Sequence, residues 1–501
     1  MICLRRPLVA SLLVLGLLAS ACASGEDDPS AGESTSPVST ASPSETPDLT
    51  TESTGQTEPT EGTDPYWPQD GNAGTDALHY DIDVRYDLAT GQLRGTTTIT
   101  MRATARLKRF SLDLLVPVTR VRVDDEPATS TKPDDHELLI TPASAIAKGQ
   151  RFDVEVRYAG RPGELAYDGE SNWLADRSEV VTMNEPHMSP WWFPANDHPG
   201  DKATFDIAVS VPKSNVVISN GDQVADKVRG GWRHTRWQMS DPMATYLAFF
   251  AAGDFIIEKG TSAGGIPYLN AVSRGLPADE RANALQVLRR SGAITDWLVQ
   301  RLGPYPFDST GGVVTALDVG FALENQSRPT YGDWIYPSVV VHELAHQWFG
   351  DSVSVRQWRD IWLNEGFASY LEAAYAAAHD GPSVNQWLHE RYRAECPRAT
   401  SKFWKLDLSD PGAEDVFAQP VYDRGALVLG ALRNRIGAGT FDDLLRGWVR
   451  EHAEDNVSVA QFEKRAAQVA GEDLSGFFDA WLRSGRAPAG VEQNGLDHTC
   501  A

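Results

Sequence analysis

The chain has 501 residues, with 69 acidic and 45 basic side chains, a formal net charge of -24, and 41% apolar and 9% aromatic content. At roughly 100–200 residues per domain this is enough for two to four domains with real cores. The acidic balance argues against nucleic acid and anionic lipid headgroups as partners, since both need clustered Lys and Arg, and four cysteines exclude a disulfide scaffold.

Arg5 and Arg6 precede an apolar run from Leu8 to Leu18 and small residues ending at Cys22. This three-part layout predicts a signal peptide over residues 1–22, too short for a transmembrane helix. Leu18-Ala19-Ser20-Ala21-Cys22 resembles a bacterial lipobox, with Ala19 where that pattern usually has Leu. Lipidation of Cys22 would give an exported protein, anchored on the extracytoplasmic side of a bacterial cell membrane. The alternative is a cleaved signal with an incidental Cys.

Residues 23–64 hold 10 acidic residues and neither a basic nor an aromatic one. Such a stretch buries too little apolar surface to offset its ordering entropy, which predicts a disordered, self-repelling tether over 23–69. Cys396 and Cys500 remain. In an exported protein a disulfide between them is expected, with two isolated thiols as the alternative.

From Leu78 the pattern has period two. Leu78, Tyr80, Ile82, Val84 and Tyr86 alternate with polar residues, as do Phe152, Val154, Val156 and Tyr158, and Phe205, Ile207, Val209 and Val211. This predicts a mainly antiparallel β domain over about 70–260. After Pro277 the spacing turns helical. Ala282, Leu285, Leu288, Ile294, Trp297 and Leu298 mark one long helix or a pair interrupted at Gly292. Pro337 reads as the first-turn proline of a helix running to about Gly350, and Phe367–Ala378 as an Ala-rich helix. Thr440 with Asp443, and Ser458 with Gln461, resemble capping boxes that open two later helices. A helix-rich domain over 261–495 follows the β domain.

Inside the Pro337 helix stands His342-Glu343-Leu344-Ala345-His346. The i, i+4 spacing puts both imidazoles on one face, where they can share one tetrahedral ion, and Glu343 reaches a water beside that ion rather than the ion itself. A third ligand is required, and Glu365, eighteen residues past His346, is the candidate. The alternative, a helix with merely polar histidines, is costly among Val339, Val340, Val341 and Leu344.

His342-Glu343-Leu344-Ala345-His346-Gln347-Trp348-Phe349-Gly350, followed by Trp362-Leu363-Asn364-Glu365-Gly366, resembles the aminopeptidase N-like family of zinc peptidases. Phe321-Ala322-Leu323-Glu324-Asn325 is similar to its exopeptidase motif, and Val421-Tyr422-Asp423-Arg424-Gly425-Ala426 to the segment of its catalytic tyrosine. Asn184-Glu185-Pro186, Trp192-Phe193-Pro194 and Lys202-Ala203-Thr204-Phe205 resemble the β-domain segment that closes the substrate site. Matching segments span about 75–485.

The resemblance implies a multidomain α+β fold, in which a saddle-like antiparallel β domain is followed by a thermolysin-like, helix-rich catalytic domain. It implies one zinc per chain, held by His342, His346 and Glu365, with Glu343 as general base and then acid and Tyr422 as oxyanion donor. Glu324 and Glu185 would bind the α-ammonium of a peptide with a free N-terminus, beside Ala322 and Leu323. The resemblance implies a short lipoprotein form, expected without the long C-terminal helical domain of large members.

Phe321 replaces the motif's first Gly, Leu323 its Met, and Met183 stands where Gln is frequent. The bulk of Phe321 and Met183 predicts a first-residue pocket biased towards apolar side chains. Two other readings differ in testable ways. A catalytically silent zinc-binding protein should lack Glu343, Glu324 or Tyr422, and all three are present. A zinc endopeptidase should accept blocked N-termini. Epoxide hydrolysis, known in one branch of the family, has no sequence feature in its support.

Overall fold

The computed structural model describes residues 64–396 and 401–497. The expected signal peptide, Cys22, the tether up to residue 63 and Cys500 lie outside the described residues.

Residues 64–69, expected within the tether, instead pack against the folded body. Asp64 is buried, and its carboxylate accepts the Trp358 amide at 2.8 Å. The Tyr66 hydroxyl donates to Asp410 and accepts the Gly412 amide, while Trp67 packs edge-on against His187 and Trp358. Two aromatic rings supply apolar surface of a kind that a Ser/Thr/Pro-rich composition does not offer.

The β domain is built on an eight-stranded sheet. Its spatial order is Asp222–Arg229, Trp232–Met243, Ala203–Pro212, Thr75–Asp87, Gln92–Ala103, Arg151–Gly160, Val118–Val123 and Glu126–Pro127. Alternation sends Tyr80, Ile82, Val84 and Tyr86 into the core, as predicted. A bulge between Ala77 and His79 changes the phase, so Ala77 is buried in place of the expected Leu78. Thr75–Asp87 and Ala203–Pro212 run parallel, while the other pairs in this sheet are antiparallel.

A second sheet of four strands begins at Phe255–Thr261, which straddles the expected domain boundary. It pairs with Pro267–Ser273, which leads to Thr310–Val314 and Thr330–Tyr331. Around that sheet come helices α1 (Ala278–Leu288), α2 (Ser291–Leu302), α3 (Pro337–His346), α4 (Trp362–Ala378) and α5 (Val384–Glu395). They are followed by α6 (Lys402–Lys405), α7 (Gln419–Ile436), α8 (Ala438–Glu451), α9 (Val459–Ala470) and α10 (Ser475–Phe478).

The break between α1 and α2 falls at Arg289–Arg290 rather than at Gly292, which lies inside α2. A Cβ at Gly292 would stand 3.3 Å from that of Ser262, so this glycine serves close packing. Ser458 caps α9 as expected, its amide donating to Gln461 Oε1 at 2.9 Å. Thr440 caps nothing. Gly437, at φ 86°, turns the chain directly from α7 into α8 three residues earlier. The fold is α+β, a β-rich N-terminal domain followed by a helical one. Among the described residues no helix is long and apolar enough to cross a membrane.

Candidate active site

Helix α3 carries His342, Glu343 and His346, and all three are buried. Glu365 lies in the first turn of α4, which packs against α3 and points its carboxylate at both rings. Glu365 Oε2 stands 3.2 Å from His342 Nε2 and 3.5 Å from His346 Nε2. The opposite ring nitrogens are engaged, His342 Nδ1 with Glu372 Oε1 at 2.9 Å and His346 Nδ1 with the Phe349 carbonyl at 3.0 Å.

A carbonyl only accepts, so His346 Nδ1 carries a proton. Nε2 faces the Glu365 oxygen, and a cation between them, a proton or a metal ion, satisfies both. Metal–ligand bonds of about 2.1 Å imply ligand separations of about 3.4 Å in a tetrahedral site, matching those found. The residues therefore fit a divalent ion, with Glu372 and the Phe349 carbonyl orienting its ligands.

Burial pushes the Glu343 carboxyl up to about 7, opposed by the two imidazoles and assisted by the charge of Glu324. Tyr422, in the first turn of α7, stacks on His342 with ring centroids 6.1 Å apart. Its hydroxyl is buried without a hydrogen-bond partner among the described residues. Burial, then the charges of Glu365 and Glu185, hold that phenol protonated and ready to donate. The buried Arg424 guanidinium anchors α7 by donating to the carbonyls of Phe403, Trp404 and Leu406.

Glu324 and Glu185 are both buried, and one oxygen of each lies within 4.8 Å of a Glu365 oxygen and of the other. Glu324 is set by an antiparallel bridge between Leu323 and Thr330, and by Gln347 of the α3 C-terminus, whose amide donates to the Glu324 carbonyl at 3.1 Å. From the β domain, Asn220 donates to the carbonyls of Leu247 and Gln326, each at 2.9 Å. Burial first, then the charge of Glu324, raises the Glu185 carboxyl well above its ordinary value. Ala322, Leu323 and Met183 are fully buried and Phe321 is half-buried.

Two contributors carry no motif. The Tyr246 hydroxyl donates to Glu324 Oε1 at 3.2 Å, and Glu372 orients His342. Lys202, from the β-domain segment that resembles the family's, joins the domains by donating to the carbonyls of Asp351 and Ser352 at 2.8 and 2.9 Å. Glu372 was legible as lying two turns beyond Glu365 on one helix, whereas Tyr246 had no local signal. Away from the site, Cys396 is disulfide-bonded.

Residues 76–247 match the Peptidase M1 N-terminal domain, and residues 311–481 the Peptidase family M1 domain. Aminopeptidase M1-B of Oryza sativa subsp. japonica is 25% identical over 81% of this chain and 49% of its own length. Aminopeptidase N of Lactococcus lactis subsp. cremoris is 24% identical over 81% of this chain and 50% of its own. The chain thus spans about half the length of these relatives. The solved M1 zinc metallopeptidase from Deinococcus radiodurans is 27% identical with a TM-score of 0.76, covering 85% of this chain and 98% of its own. A mutant of that metallopeptidase was solved bound to a Tyr-Ser-Ala substrate, and a two-domain M1 zinc metallopeptidase bound to L-arginine.

Proposed function

The chain belongs to peptidase family M1, and from its site we propose that it is a zinc-dependent aminopeptidase removing N-terminal residues from peptides. The observation that carries the reading is the meeting of Glu185 and Glu324 with the ligand carboxylate Glu365 inside 4.8 Å. Two carboxylates around one cation hold a free α-ammonium and thereby set the first peptide bond beside the ligand cluster.

Zinc held by His342, His346 and Glu365 supplies a Lewis acid that polarises a carbonyl and acidifies water. Glu343 takes the proton of the attacking water and returns it to the departing amine. The Tyr422 hydroxyl, with no partner among the described residues to give up, donates to the oxygen on which charge develops, a contribution of about 3–4 kcal/mol by analogy with other oxyanion donors. Phe321 and Met183 bias the first-residue pocket towards apolar side chains.

The residue pattern around Cys22 supports a lipid anchor, with the protein held on the extracytoplasmic face of a bacterial membrane. Mass measurement of the membrane-extracted N-terminus checks this, and an unmodified Cys22 overturns it.

One digestion tests the peptidase reading. A library of free and N-acetylated peptides is cleaved by the enzyme and by Glu343→Gln, with product N-termini sequenced. Stepwise loss of first residues from free peptides alone is expected, together with loss of activity in the variant or after chelation. Internal cleavage of acetylated peptides would make the enzyme an endopeptidase. Full activity in Glu343→Gln refutes the proton carrier, and equal release of acidic and leucyl residues refutes the apolar pocket.

A further inference from the structure

Strand Phe110–Asp113 pairs antiparallel with Glu137–Thr141, in a register that sets Asp113 opposite Glu137. Like charges facing each other across a strand pair repel. Both are also buried, at 1% and 4% exposure. Next to Glu137, the His136 ring is 1% exposed. Its Nδ1 stands 3.6 Å from Asp113 Oδ1 and its Nε2 3.7 Å from Asp70 Oδ1. Neither ring nitrogen has a hydrogen-bond partner among the described residues.

The ring is firmly placed nonetheless. It stacks on Tyr167 with centroids 4.0 Å apart, and Asp134 Oδ1 accepts the amides of His136 and Glu137 at 2.8 and 2.7 Å. A gap of 3.6 Å is too long for a hydrogen bond, but it is near the roughly 3.4 Å edge of a tetrahedral ligand set. One donor atom each from Asp113, His136 and Glu137 lies within 4.8 Å of the others.

Glu137 also meets the Ser111 hydroxyl, which occupies one side of its carboxylate. Asp113 Oδ2 accepts the amides of Gly71 and Asp197 at 3.0 and 2.7 Å, so Oδ1 alone turns to His136. Asp70 Oδ2 takes His187 Nε2 at 2.6 Å, and its Oδ1 faces the far nitrogen of His136, as Glu372 faces that of His342. The neighbouring His187 is thus committed to Asp70 and, at 3.5 Å, to Glu170.

We propose that Asp113, His136 and Glu137 form a second divalent-cation site, in the β domain and separate from the peptidase centre, that takes zinc or manganese as a structural ion. Two carboxylate oxygens and one imidazole are a donor set both ions accept. The ion cancels the opposed carboxylates and pins Asp113 to the Asp197 amide. Asp197 in turn accepts the hydroxyl of Thr245, the neighbour of Tyr246.

The test counts metal in the full chain, loaded with excess zinc or manganese and desalted, by elemental mass spectrometry. About two equivalents are expected in the parent and about one in His136→Ala. The double variant His342→Ala/His346→Ala should also keep about one, and its thermal midpoint should rise on adding either metal. Glu137→Gln preserves shape and should weaken the second equivalent about tenfold or more, which keeps the test open if His136→Ala misfolds. A single equivalent in the parent overturns the proposal, as it would if Asp113 and Glu137 simply hold protons. Two equivalents persisting in both His136→Ala and Glu137→Gln overturn it equally.

Discussion

The Tyr246 hydroxyl donates to Glu324 Oε1 at 3.2 Å, so a residue of the β domain orients the carboxylate assigned to the substrate ammonium. Burial, with the charge of Glu324 next, keeps this phenol protonated and therefore a donor. The other oxygen, Oε2, has no hydrogen-bond partner among the described residues and is free for the proposed ammonium. The two domains meet at the carboxylate proposed to hold the substrate's end.

Tyr246→Phe removes that donor while keeping the ring. The carboxylate then loses its fixed orientation, and KM for aminoacyl amides should rise about tenfold, since hydrogen bonds to charged groups are worth about 1.5–3 kcal/mol. The value of kcat should change little, because Glu343 and Tyr422 are untouched. Steady-state kinetics equal to the parent's would remove Tyr246 from the site.

Helices α4 and α7 approach each other through Gly366 and Gly425. A Cβ on Gly366 would lie 2.9 Å from the Gly425 Cα, and that atom is backbone that cannot swing aside. One residue from this contact stands Glu365, and three from Gly425 stands Tyr422. Gly366→Ala should therefore force the helices apart, costing about 1–3 kcal/mol of stability and tenfold or more in kcat/KM. Unchanged thermal midpoint and turnover would show that the crossing tolerates the methyl group.

Burial depresses the Lys202 ammonium to about 8, although Asp351 and Glu454 pull it upward. The unfolded chain keeps this proton to about 10.4. Between about 8 and about 10.4 the unfolded state thus binds more protons, and the Lys202 contribution to stability grows with rising pH. It is complete above that window and lost as pH falls to about 8. The stability difference between the parent and Lys202→Met should shift by roughly 3 kcal/mol in the parent's favour across the window, and stay level below it. Denaturant titrations at several pH values measure this, and a constant difference would contradict the depressed ammonium.

Much of the site was legible because its signals are short-range. His342 and His346 lie one helical turn apart, and the spacing to Glu365 needs only a loop and the start of α4. Alternation placed Tyr80, Ile82 and Val84 in the core, since a strand's period is local. The misses have a common cause. Leu78 lost its core place to a bulge, Thr440 its cap to Gly437, and residues 64–69 their disorder to Trp358 and Gly412, each decided by a partner or a backbone turn absent from the local pattern.

The sequence by itself determined the candidate ligand set, the neighbouring Glu343, and the order of a β domain before a helical one, because those depend on residue type and near spacing. Only the tertiary structure decided what surrounds each group. It set Tyr246 on Glu324, Glu372 behind His342, Gly366 against Gly425, and Asp113 across from Glu137. Hydrogen bonds, desolvation and like-charge opposition act over a few ångströms of space, and residues far apart in the chain come within that reach only once the strands have paired and the helices have packed.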